Sequence, residues 1–282
     1  MRIGRATYDG TICYGRVDGD LFHVYEETTL ADLLGGQRPR ERRVVPLNQV
    51  TLHAPVPQPG KLVCIGLNYH DHCEELGVPV PVRPVIFAKF TSSIADPFTT
   101  ILRPPETRQL DYEAELAVII GKPGHDITVA DARQHVFGYT IFNDISARDL
   151  QFADSQWIRS KSFPTFGPMG PWITTAEEVP DPQSLAIKLR LNDRLMQESN
   201  TARMIFGIAE LVSYVSRLGL DAGDVIATGT PAGVGGFRNP PIYLQPGDLI
   251  SIEIEGLGRL ENRIAEAGTA ALNPRFALAP SP

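Results

Sequence analysis

A chain of 282 residues, at roughly 100–200 per domain, has room for one large domain with a small appendage and a real core without disulfides. Hydrophobic residues make up 43% and charged residues 21%, which excludes a disordered chain. The 26 Lys and Arg stand against 33 Asp and Glu, a formal net charge of −7 with no basic block, so no nucleic-acid partner is expected. Cys13, Cys64 and Cys73 carry no Cys-x-x-Cys spacing, which argues for a reducing compartment and against a disulfide scaffold or Cys-rich zinc module. The first residues hold no apolar signal core and no apolar run approaches the ~18 residues of a membrane span. A soluble cytoplasmic protein with no membrane partner is expected.

In chain order, Arg5 to Tyr25 reads as short strands broken at Asp9-Gly10 and at Asp18-Gly19-Asp20. A helical stretch around Thr29 to Leu34 follows and ends at Gly35-Gly36. The prolines of His53-Ala-Pro-Val-Pro-Gln-Pro-Gly60 hold that stretch extended, because proline disfavours helix at itself and at the residue before it. The boundary is set there, with a small α+β unit over 1–58 and a larger domain over 59–282. Lys61 to Ile65 and Val85 to Phe90 are buried-strand candidates, and Leu116 to Ile120 and Val136 to Phe142 continue a strand-dominated middle. Met204, Ile205, Ile208, Leu211, Val212, Val215 and Leu218 recur at helical spacing and predict one amphipathic helix, stopped by Gly219 and Gly223. Turns at Ala-Gly-Asp224 and Pro-Gly-Asp248 return the chain to strands rich in Val and Ile. Few βαβ alternations appear, so the predicted class is α+β, strand-rich, with a mixed or antiparallel sheet folded on itself.

The strongest chemical signal is Asp111-Tyr-Glu-Ala-Glu-Leu-Ala-Val-Ile-Ile120. On a strand, Glu113 and Glu115 share a face with Ala117 and Ile119, so two carboxylates stand at one end of an otherwise apolar element. Like charges that close raise one another's pKa unless a cation sits between them, and the alternative is a solvated strand end. Glu253 and Glu255, with Ile250, Ile252 and Ile254 on the opposite face, read as such a solvated pair. Asp144 directly follows the run Val136 to Phe142 and also stands at a strand end. Three oxygen donors without a His or Cys cluster describe a site for Mg²⁺ or Mn²⁺. In Gly66-Leu-Asn-Tyr-His-Asp-His-Cys-Glu-Glu75, His72 and Glu75 lie three apart, on one helical face, as a general base and its orienting carboxylate or as a surface ion pair. His70, His72 and Cys73 are too crowded to close a tetrahedral zinc site together. The loop Gly229-Thr-Pro-Ala-Gly-Val-Gly-Gly236 is either a tight turn or a place where backbone N–H groups and Thr230 meet an anionic substrate group.

Taken together these segments resemble the fumarylacetoacetate hydrolase family over roughly Lys61 to Glu266: Gly66-Leu-Asn-Tyr69 with His72 and Glu75, Asp111-Tyr-Glu-Ala-Glu115, Asn143-Asp-Ile-Ser-Ala-Arg-Asp-Leu-Gln151, Ser160-Lys-Ser-Phe163 and Ile226-Ala-Thr-Gly-Thr-Pro-Ala-Gly-Val-Gly235. The resemblance implies a β-roll-like catalytic domain, a divalent metal on Glu113, Glu115 and Asp144, and a homodimer. It further assigns Lys161 to catalysis, Tyr69, Arg148, Gln151 and Thr230 to substrate, and His72 with Glu75 to a lid carrying the acid–base pair. Two departures, Pro164 after Lys-Ser-Phe and Phe90 after the strand lysine, bear on substrate preference.

The family includes acylpyruvate hydrolases, oxaloacetate decarboxylases, isomerases and hydratases of 2-oxo acids. A 2-oxo acid chelating the metal through carboxylate and keto oxygens leaves an enolate on cleavage, with Lys161 nearby. The complete His72–Glu75 pair favours hydrolysis of an acylpyruvate-type 2,4-dioxo acid to pyruvate and a carboxylic acid. Oxaloacetate decarboxylation or isomerisation is the alternative, and a non-catalytic metal-dependent binding protein would need neither His72 nor Lys161. The segment Asn68 to Gly77, bracketed by Gly66, Pro79 and Pro81 and poor in apolar anchors, is predicted to be mobile without substrate.

Overall fold

The run Ala-Glu-Leu-Ala-Val-Ile-Ile lacks turn formers and forms the fully buried strand Ala114–Ile120 in a computed structural model that describes residues 1–268. The end of the larger expected domain, 269–282, lies outside the described residues. The two-residue period of this strand divides its side chains between two cores. Ala114, Leu116, Val118 and Ile120 join one cluster with Leu189, Leu211 and Ile252, while Ala117 and Ile119 join another with Cys64, Phe142 and Ile173.

On its two sides Ala114–Ile120 pairs antiparallel with Val136–Asn143 and with Val225–Ala227. Leu62–Gly66 then adds in parallel to Val225–Ala227, and Val85–Ala88 closes that edge. In the other direction Gly167–Thr175 joins Val136–Asn143 to Arg2–Tyr8, so the N-terminal strands continue the same twelve-stranded sheet. A five-stranded sheet, which includes Ala186–Leu191 and Leu249–Ile254, supplies the far wall of the first core. The strand-rich α+β fold with a mixed sheet is the one expected from the sequence.

Three local differences have physical causes. The predicted strand through Glu113 is broken into Leu110–Asp111 and Ala114–Ile120, because the Asp111 carboxylate is drawn to backbone donors outside the ladder. The predicted helix starts only at Ile208, since Met204 bridges to Tyr69 and the N–H groups of Ile205 and Phe206 are spent on Asn68. Glu210 caps the free Gly207 N–H at 2.7 Å and fixes the new start. The strand from Val85 stops at Ala88, with Lys89 turned to the interior. Glu253 and Glu255 are exposed, as their pattern predicts.

Candidate functional site

Strand register explains why the carboxylates meet. Ala114 pairs with Asn143, so Glu113 and Asp144, the residues just before and just after that pair, lie side by side. The Asp144 N–H donates to the Glu113 carbonyl at 3.0 Å and the Glu113 N–H to Asn143 Oδ1 at 3.1 Å. Glu115 stands on the strand itself and accepts from the Gly229 N–H at 3.0 Å. Carboxylate oxygens of Glu113, Glu115 and Asp144 all lie within 4.8 Å of one another, and all three residues are buried.

Cations surround two of the three. Lys161, at the end of the short helix Ile158–Lys161, donates to Glu113 Oε2 at 2.8 Å and to Asp144 Oδ2 at 2.7 Å. Arg148, opening the helix Arg148–Ala153, pairs with Glu113 Oε1 at 2.7 Å and Asp111 Oδ2 at 2.8 Å. Lys89 reaches Asp144 Oδ1 at 2.5 Å and the Ile145 carbonyl at 3.1 Å. Burial opposes ionisation of Glu113, but the Lys161 and Arg148 charges outweigh it and hold this carboxyl well below its ordinary value, at about 2. Glu115 moves the other way: burial, then the charges of Asp144 and Glu113, push it well above the carboxylate range. Burial likewise works against the Lys161 ammonium, yet Asp144 and Glu113 overcome it and raise its pKa.

Beside the carboxylates and their cations stands the dyad. His72 and Glu75 sit on the helix His70–Leu76, with Nδ1 to Oε2 at 3.0 Å. A cavity of about 370 Å³ brings together His72, Glu113, Glu115, Lys161, Arg148, Gln151 and Thr230. Glu75 stands behind His72, and its other oxygen accepts from the Gly233 N–H at 2.9 Å. Tyr69 is fully buried at the head of the helix and does not line the cavity.

In the glycine-rich loop 229–236 five backbone donors are taken by the protein's own carboxylates: Gly229 by Glu115, Ala232 by Asp71 at 3.3 Å, Gly233 by Glu75, and Gly235 and Gly236 by Asp111 at 2.7 and 2.9 Å. Thr230 Oγ1 accepts from Gln197 Nε2 at 2.8 Å while lining the cavity. The lid argument needs correction. Asn68 donates to the Phe206 and Thr228 carbonyls, and Asp71 accepts from Ser199 Oγ at 2.6 Å and pairs with Arg203 at 3.1 Å, so polar bonds together with the buried Tyr69 and Cys73 anchor the segment.

Sequence reasoning missed Lys89, Asp111, Asn143 and Gln197. Lys89 had a signal, a lone charge closing the apolar run Val85–Ala88, and Asp111 opens the same Asp-Tyr-Glu-Ala-Glu stretch as the two glutamates. Gln197 had none.

Three comparisons with known proteins bear on this site. The sequence model of the fumarylacetoacetate (FAA) hydrolase C-terminal family matches residues 61–265. This chain belongs to the fumarylacetoacetate hydrolase family. A second model, Rv2993c-like, N-terminal, matches residues 1–55. Oxaloacetate tautomerase FAHD2B, mitochondrial, of Bos taurus is 49% identical over 224 residues, covering 78% of this chain and 71% of that protein. Among solved structures, fumarylacetoacetate hydrolase from psychrophilic Exiguobacterium antarcticum superposes with a TM-score of 0.86 at 38% identity, covering 94% of this chain and all of that one. The 2-hydroxyhepta-2,4-diene-1,7-dioate isomerase from Mycobacterium marinum gives 0.82 at 36% identity, over 95% and 100%. The buried triad of this fumarylacetoacetate hydrolase family member suits a metal ion. Its donors are all carboxylate oxygens, the set hard cations take, and among the described residues no ammonium or guanidinium pairs directly with Glu115. No helix of the described residues is long and apolar enough to cross a membrane.

Proposed function

We propose that this protein is a divalent-metal-dependent enzyme that interconverts the enol and keto forms of 2-oxo acids, with oxaloacetate as the first substrate to test. The observation that carries this reading is one base, His72, lining the same cavity as the carboxylate triad and Lys161. The names of the relatives at 45–49% identity, several of them oxaloacetate tautomerases, support it over hydrolysis.

Glu113, Glu115 and Asp144 would hold Mg²⁺ or Mn²⁺, which when bound supplies a fixed positive charge for the carboxylate and keto oxygens of a 2-oxo acid. Glu75, as a carboxylate, can only accept, so His72 Nδ1 carries the hydrogen and Nε2 keeps its lone pair. Nε2 takes a proton from C3 of the keto form; the C–H electron pair becomes the C2–C3 double bond and the keto oxygen gains negative charge. Lys161, kept charged by Asp144 and Glu113, supports that negative charge and is unsuited to act as a base. Returning the proton to oxygen completes the enol, and the reverse sequence restores the keto acid. No carbon–carbon bond breaks.

The test is to add enol-oxaloacetate to the Mg²⁺-supplied protein, follow the enol absorbance, and couple released pyruvate to lactate dehydrogenase. Accelerated enol loss without pyruvate is expected, lowered about 10²-fold or more in His72→Ala, the usual scale of general-base catalysis. Pyruvate at the rate of enol loss would replace tautomerisation by decarboxylation. Acylpyruvate hydrolysis is the second reading, favoured by the likeness to the Exiguobacterium hydrolase, and acetylpyruvate in the same assay tests it.

A further inference from the structure

The cavity is divided by chemistry between its buried floor and its mouth. Every charged residue that lines it is at the floor: Glu113, Glu115, Lys161 and Arg148 are each at most 5% exposed. Toward solvent the wall is Leu76, Val78, Phe87, Phe152, Trp157 and Phe237. Val78 and Phe152 are 38% and 65% exposed, so this apolar surface is left to water when the cavity holds no ligand. The two floor cations are committed to Asp111, Glu113 and Asp144, and no other Lys or Arg lines the cavity among the described residues. Arg159, near Trp157 in sequence, pairs with Asp154 and does not line it.

These two halves ask for two different ends of a ligand. In a four-carbon dicarboxylate such as oxaloacetate the second carboxylate lies only two bonds from the keto carbon, below the reach of the mouth. In a longer dicarboxylate the distal carboxylate would be carried up among the rings at the mouth, where it would lose water and meet no cation. A methyl or phenyl end at the same place would cover apolar surface instead.

We infer that the site selects longer 2-oxo acids that carry a single carboxylate and an apolar distal chain or ring, with Val78, Phe152 and Trp157 setting the preference. This rests on the 2-oxo acid reading above and adds the chemistry of the distal end. The preference over a dicarboxylate of equal length is about tenfold or more, the scale on which an apolar pocket separates closely related chain ends.

The matched pair 2-oxohexanoate and 2-oxoadipate, equal in carbon count and differing only at the terminus, isolates this effect. Binding to the Mg²⁺-supplied protein is read as quenching of Trp157 fluorescence, and Trp157→Phe assigns the signal, since the chain has only one other tryptophan, Trp172. Oxalate, followed by competition and by thermal shift, serves as the head group without a tail. Tighter binding of 2-oxohexanoate by about tenfold, moved toward 2-oxoadipate in Val78→Lys, is the expected result. Equal or reversed affinities in the parent, or a ratio untouched by Val78→Lys, would overturn the inference. Oxalate binding without either six-carbon acid would overturn it while leaving the 2-oxo acid reading standing. Failure of oxalate as well would remove that reading and the inference with it.

Discussion

Glu115 is the member of the triad that its neighbours leave least satisfied. Glu113 is held ionised by Lys161 and Arg148, and Asp144 has two lysines, whereas Glu115 has one backbone donor and two carboxylates beside it. Its raised pKa means that the metal-free protein keeps a proton there well above the ordinary carboxylate range, and a cation entering the triad must displace it. Adding MgCl₂ to a weakly buffered solution at a pH above the ordinary carboxylate range is therefore expected to release protons, with apparent affinity rising as pH rises. Glu115→Ala should abolish the release and weaken binding, both followed by a pH indicator and by titration calorimetry. A metal affinity flat with pH in the parent would show that Glu115 is already ionised without the cation. Glu113, Glu115, Asp144 and the His72–Glu75 pair were legible in the sequence because each lies in a short stretch whose period or spacing carries the chemistry. The pairing of Lys89 with Asp144 was not, since the two lie 55 residues apart, and Gln197 meets Ala114 across 83.

The short helix His70–Leu76 poses the same problem at the scale of an element. Seven residues with no side-chain cap cannot hold a helix by themselves, so its stability comes from what its ends grip. Asp71 grips at one end through Ser199, Arg203 and the Ala232 N–H, and Glu75 grips at the other through the Gly233 N–H. Both grips on the glycine-rich loop lie about 160 residues away in the chain, which is why composition alone suggested an unanchored lid. One turn of helix separates Asp71 from Glu75, so releasing the first should loosen the ring that the second orients. Asp71→Ala is expected to speed amide exchange across residues 68–77 and to lower kcat about tenfold or more, with Mg²⁺ affinity retained, because the triad is carried by other elements. Unchanged exchange in that segment would mean that Asn68 and Tyr69 suffice to hold it.

At the scale of the whole molecule, the composition break at the prolines of 54–59 marks a change of chain direction, but the sheet runs straight through it. Arg2 pairs with Thr174 and Ile3 with Ile173, so the first strand of the N-terminal unit extends the sheet that carries the site. Beside this ladder a polar relay joins the two regions: Asp96 Oδ2 meets His53 Nδ1 at 2.8 Å, His53 Nε2 meets Thr7 Oγ1 at 2.7 Å, and Asp96 Oδ1 accepts from the Ala54 N–H at 2.8 Å. Burial works to raise the Asp96 pKa, but the hydrogen bonds from His53 and from the Ala54 N–H outweigh it and hold the carboxyl below its ordinary 3.8. A carboxylate with a depressed folded-state pKa contributes stability that is present above its unfolded value and is lost as pH falls through the folded one. Asp96→Asn is therefore expected to cost about 1 kcal/mol at pH 7, within the range for a hydrogen bond to a charged group that is partly open to water. The gap between parent and variant in urea midpoint should begin to close as pH falls below about 3.8 and disappear only below the depressed folded-state value, where the parent's own carboxyl is protonated. A gap that keeps its size from pH 7 to well below pH 3.8 would trace the loss to shape instead of charge, and no gap at pH 7 would show that the relay adds nothing to the pairing of Arg2–Tyr8 with Gly167–Thr175.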